Sequence, residues 1–137
     1  MLPSWWVTVY GAARCAACRH LGRPSALRWL CGFYIDAKGV NHGFWLNAGV
    51  LTKLDFPGST FTQALGLNNK NEMVGRLHGR TGITHGFVYN TSTKTWMSVD
   101  DPNGIGTTVV NGTNDKHELV GFWGTNPTNT GFVATLP

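Results

Sequence analysis

Charge is scarce in this chain, and negative charge is the scarcer sign. Only 13% of the 137 residues are charged, and the acidic ones are Asp36, Asp55, Glu72, Asp100, Asp101, Asp115 and Glu118. None of these precedes Asp36, whereas Arg14, Arg19, Arg23 and Arg28 crowd the opening stretch, and lysine is absent until Lys38. Beyond Cys31, Lys38, Lys53, Lys70, Lys94, Lys116, Arg76 and Arg80 balance the acids, so the net charge of +4 belongs to the opening segment. A neutral body has no basic stripe with which to release counterions from a phosphate backbone, and nucleic acid is excluded as an expected partner. No apolar run approaches the roughly eighteen residues of a spanning helix, so no membrane span is expected. Met1 to Tyr10 lacks the basic start and clean apolar core of a secretory signal, and no signal peptide is expected.

Familiar catalytic signatures are missing too. There is no Gly-x-Ser-x-Gly elbow and no phosphate loop. Cysteine is limited to Cys15, Cys18 and Cys31, an odd number that leaves at least one thiol outside any intrachain disulfide. Cys15-Ala16-Ala17-Cys18, with His20 and Cys31, has the ligand types of a zinc knuckle, although Arg19 stands where a haem-attachment motif needs histidine. The change of composition near residue 31 separates an atypical N-terminal segment, residues 1–31, expected to be helical or disordered, from a body at 32–137.

Turn residues are what the body has in quantity. Glycine, 18 in all, is joined by clusters of Asn and Thr, which supply the tight and positive-φ turns of hairpins. A register mark repeats: His42-Gly43-Phe44 returns as His85-Gly86-Phe87 and then as Thr130-Gly131-Phe132. Between these marks, Thr62/Thr108, Gly66/Gly112, Asn68/Asn114, Lys70/Lys116, Glu72/Glu118, Val74/Val120 and Gly75/Gly121 match at a constant offset of 46. The units run over 32–74, 75–120 and, in part, 121–137. Alternation and turn punctuation predict strands at 32–36, 42–47, 50–55, 61–67, 72–78, 85–90, 95–100, 107–111, 118–123 and 131–136. Four strands in a unit of this length predict an all-β fold of tandem four-stranded repeats, β-propeller-like, with a sandwich as the alternative. A blade cannot bury both faces by itself, and the units are too few to close a ring. Completion by oligomerisation is therefore expected, most simply as a homodimer, with Trp45, Trp96 and Trp123 available to pack between sheets.

At these residues the chain resembles the bacterial HAF repeat. Gly32 to Phe44, followed by Asp55-Phe56-Pro57-Gly58-Ser59 and Gly66-Leu67-Asn68, looks like a full copy. The second copy departs at Pro102-Asn103-Gly104 and Asn111-Gly112-Thr113-Asn114, and the third replaces His with Thr130. The resemblance implies an extracellular or cell-envelope location and brings no settled activity with it.

Two chemistries compete for the polar residues. His42 and His85 hold equivalent places, and either tie turn to strand by hydrogen bonds or converge as catalytic or metal-binding groups. His78 and His117 fall outside the shared pattern, where a catalytic site is grafted onto a repeat or where surface side chains simply vary. Asn68, Glu72, Asn114, Asp115 and Glu118 place oxygen atoms before a strand in each unit, as calcium ligands or as Asx turns that end hairpins. The expected function is a β-repeat module that binds a glycan, polymer or protein without catalysis. The alternative is a calcium- or zinc-dependent hydrolase of esters or lactones. It would use His42, His78, His85 and His117 around a metal that lowers the pKa of bound water.

Overall fold

A computed structural model of the chain describes residues 9–14, 29–125 and 127–137, with the backbone alone at 9–14 and 29. The described residues form eleven strands and no helix: β1 (Val9–Arg14), β2 (Trp29–Ile35), β3 (Asn41–Asn47), β4 (Val50–Leu54), β5 (Phe61–Leu67) and β6 (Glu72–His78), then β7 (Thr84–Asn90), β8 (Thr95–Val99), β9 (Val109–Thr113), β10 (Glu118–Trp123) and β11 (Thr130–Thr135). The all-β expectation holds, and strands stand at each of the ten predicted places. β1 is additional: the segment expected to be helical or disordered is extended over Val9–Arg14. Strand β2, moreover, runs through the boundary drawn at residue 31 without a break. The rest of that segment, with Cys15, Cys18 and His20, lies outside the described residues.

Every consecutive pair within β1–β4, β5–β8 and β9–β11 is antiparallel, which makes three meanders in chain order. A single parallel pair, Asn41 with Phe61, links the first two into an eight-stranded sheet, and β9–β11 form a separate three-stranded one; neither closes. An isolated parallel bridge, Thr84 with Thr107, stands between second and third meanders as Asn41–Phe61 stands between first and second.

Two repeated glycines are explained by close backbone approach. A Cβ on Gly75 would lie 1.9 Å from the Gln63 carbonyl oxygen, and one on Gly121 would lie 2.1 Å from that of Val109. Each sits beside a bulge in the preceding strand, between Ala64 and Gly66 or between Val110 and Gly112, and β1 bulges in the same way between Tyr10 and Ala13 opposite Gly32. The bare glycine is covered from the next strand by an aromatic ring: Gly32, Gly75 and Gly121 pair with Phe44, Phe87 and Phe132. The Gly-Phe of the register mark is therefore a packing device between neighbouring strands.

Meanders bury their faces against one another. Cys31 and Leu54 of the first meet Ala64, Leu67 and Met73 of the second, with Trp45, Tyr89 and Trp96 closing the cluster. Val74 and Val88 of the second meet Val110 and Leu119 of the third, with Val99, Phe132, Ala134 and Leu136 around them. Trp96 anchors the first interface, edge-on to Phe56 at 5.3 Å and to Phe87 at 5.0 Å between ring centres. Burying a side chain such as Met73 or Phe87 contributes on the order of 2–3 kcal/mol, so the two interfaces are the main source of stability. Cys31 belongs to this core. Burial pushes its thiol up to about 12.

Candidate functional site

The repeated histidines are held by carboxylates. His42, the second residue of β3, has Nδ1 2.9 Å from Asp55 Oδ2 and Nε2 3.0 Å from Asp36 Oδ2. Asp55 follows β4 directly, and Asp36 follows β2, so the ring bridges the ends of two strands that flank its own. The hydrogen bond with His42, seconded by the Val40 amide, holds the Asp36 carboxyl down at about 2. Lys53 adds a contact of 2.9 Å to Asp55. In the second meander His85 Nδ1 lies 2.9 Å from Asp100 Oδ2, with Asp100 again directly after the following strand. The counterpart of Asp36 there is Gly79, and only one carboxylate remains. In the third, Thr130 replaces His. The geometry ties turn to strand, one of the two readings offered above; sequence reasoning misses Asp36 and Asp55, and it reads Asp100, with Asp101 and Asn103, only as a cation candidate or a turn. The signal was present: each His of the register mark is followed by an Asp after the next strand.

The acidic and amide turns form a second constellation. Asn68 Oδ1 accepts the amides of Lys70 and Glu72, while its Nδ2 donates to Glu72 Oε2 at 2.6 Å. Asn114 repeats this with Lys116 and Glu118, its Nδ2 donating to Glu118 Oε2 at 2.5 Å. Asn71 and His117, at φ of 66° and 62°, occupy the left-handed turn position in each. The two turns also grip one another. Asn68 Nδ2 reaches the Asn114 carbonyl at 2.8 Å, and the Asn69 amide and Nδ2 each donate to the Asp115 carboxylate at 2.8 Å. These contacts with Asn69 pull the Asp115 carboxyl below its ordinary range. His117 Nδ1 completes the grip on Glu72 Oε1 at 2.7 Å. All five residues proposed as metal ligands, Asn68, Glu72, Asn114, Asp115 and Glu118, thus have partners within the protein.

His78 stands apart from these contacts. Its ring stacks on Phe61, 4.1 Å centre to centre and 9° from parallel, with the Arg76 guanidinium 5.1 Å from the same ring centre. Burial, then the Arg76 charge, lowers its pKa. Arg76 donates to Gln63 Oε1, and Gln63 Nε2 to Asn41 Oδ1, a chain that crosses from the second meander to the first. The four candidate histidines therefore serve three different local structures. Among the described residues, no three His, Cys, Asp or Glu side chains are arranged to hold a metal ion.

Fold and site together define an all-β protein of tandem antiparallel meanders, joined by polar contacts of Gln63 with Asn41, Asn68 with Asn114, Asn69 with Asp115 and His117 with Glu72. Comparisons with protein-family models, with curated proteins and with solved structures find no match.

Proposed function

We propose that this chain is a recognition module without catalysis, of HAF-repeat type, in which the meanders are propeller-like blades. It acts at the cell exterior or envelope, through surface contacts with a glycan, polymer or protein. The observation that supports this most is the mutual engagement of the polar groups a hydrolase would need. His42 has both ring nitrogens on carboxylates, Asp55 and Asp36, and His85 and His117 are held through Nδ1 by Asp100 and Glu72, so the imidazoles tie turn to strand and turn to turn. At His42 neither ring nitrogen is left for the lone pair that a general base or metal ligand directs at a substrate or ion. The open sheets, with Val120 and Val133 exposed on one face, point further to association of copies into a homo-oligomer, most simply a dimer.

The test is a panel of ester and lactone substrates with the full chain, before and after chelation and after adding back calcium or zinc, beside an array of immobilised polysaccharides. The expected outcome is no chelator-sensitive turnover and saturable retention on at least one polysaccharide class. Turnover that chelation abolishes and metal restores would overturn the reading in favour of the metal-dependent hydrolase.

A further inference from the structure

Three cross-strand pairs occupy the same place in the three meanders: Cys31 with Trp45, Val74 with Val88, and Val120 with Val133. The first pair lies in the core under β5, the first strand of the next meander. The second is covered by β9 in the same way, and leaves Val74 0% and Val88 5% exposed. Among the described residues no strand covers the third pair. Val120 is 47% exposed and Val133 74%, although their chemistry is that of their buried counterparts. Aliphatic side chains paired across strands on one open sheet face mark a surface that another sheet covers.

What covers such a face is shown twice within the chain: the bulged first strand of a meander. Among the described residues one first strand, β1, lies on no preceding meander. β1 carries the bulge of β5 and β9 at the matching place, opposite Gly32 as theirs lie opposite Gly75 and Gly121. One copy thus offers both an uncovered acceptor face and an unused first strand, at opposite ends of its stack.

We infer that the face of β9–β11 carrying Val120 and Val133 docks the first meander of a second copy, with β1 laid across it as β5 and β9 are laid within one chain. This rests on the reading of the meanders as stacked blades. The contact is head-to-tail, and two such contacts related by a twofold axis join two three-meander stacks into one closed ring.

Light scattering on the full chain, across a wide range of concentration, tests it. The wild type is expected at twice the chain mass, and the double variant Val120→Glu/Val133→Glu at the chain mass with its β-sheet circular dichroism intact. Leu51→Glu, on the exposed strand β4, is expected to keep the dimer. A strictly monomeric wild type, or a double variant that still dimerises, overturns the docking. Val74→Glu separates this from the underlying reading: it places a charge at the buried equivalent of Val120. Wild-type stability in that variant sinks the stacked-blade reading itself, whereas a destabilised Val74→Glu beside a monomeric wild type sinks the docking alone.

Discussion

His117 Nδ1 and Glu72 Oε1 meet at 2.7 Å across 45 residues of sequence, and the pair joins the turn of one meander to the turn of the next. Glu72 is buried and also accepts from Asn68, so the contact sits where a lost partner leaves a desolvated carboxylate. The same turn one unit later, around Glu118, grips no further turn among the described residues. The two turns are therefore a natural pair for measuring what stacking adds to a local motif.

Asn68→Ala and Asn114→Ala delete the same side chain from the same kind of turn. Asn68 is buried and reaches across to Asn114, whereas Asn114 is exposed. Because an unsatisfied buried group costs about 1–3 kcal/mol, Asn68→Ala is expected to cost about 2–3 kcal/mol and Asn114→Ala less than about 1. Urea unfolding of both variants at neutral pH checks this, and equal losses would show that the inter-unit contact contributes nothing.

Glycine in the register mark offers a second contrast. A Cβ on Gly86 would stand 2.6 Å from the Val99 carbonyl oxygen, because β8 runs alongside. One on Gly131 meets nothing nearer than 3.8 Å, because β11 is an edge strand among the described residues. Gly86→Ala is expected to destabilise by about 1–3 kcal/mol and Gly131→Ala to stay within about 0.5. Thermal unfolding midpoints that rank the other way would contradict the strand order.

Acid is expected to weaken the fold in two stages. His78 has its pKa lowered, chiefly by burial, so the unfolded chain takes up a proton more readily and stability falls as pH drops below about 6.5. Asp36 is depressed from 3.8 to about 2, so its contribution is present above pH 3.8 and is lost as pH falls toward 2. Unfolding free energy measured against pH should lose its upper limb in His78→Phe, which keeps a ring on Phe61, and its lower limb in Asp36→Asn. Unchanged profiles in both variants would refute the assignment.

Cys31 is fully buried with its thiol raised to about 12, so it is expected to resist alkylation in the native protein. In a Cys15→Ser/Cys18→Ser background, labelling by iodoacetamide should await unfolding and follow the denaturation curve. Rapid labelling under native conditions would place Cys31 outside the core.

Much of the fold was legible in the chain because it is local and repeated. Strand positions follow from alternation and turn residues, and the offset of 46 maps onto hydrogen bonds shared by Asn68 and Asn114. β1 was not legible, since an Arg- and Ala-rich lead without alternation resembles no strand, and only pairing with β2 makes it one. The partners of the histidines were half legible: the spacing was there, but a shared position does not say which side chain it faces.

From sequence alone came the all-β class, the unit length and the identity of the turns, because these depend on backbone preferences a few residues long. Tertiary structure alone decided that Val74 is buried while the equivalent Val120 is not, and that Glu72 meets a histidine where Glu118 meets none. The shared local pattern cannot encode the burial difference: burial is a property of what lies alongside, and only the order of the meanders determines which face has a neighbour.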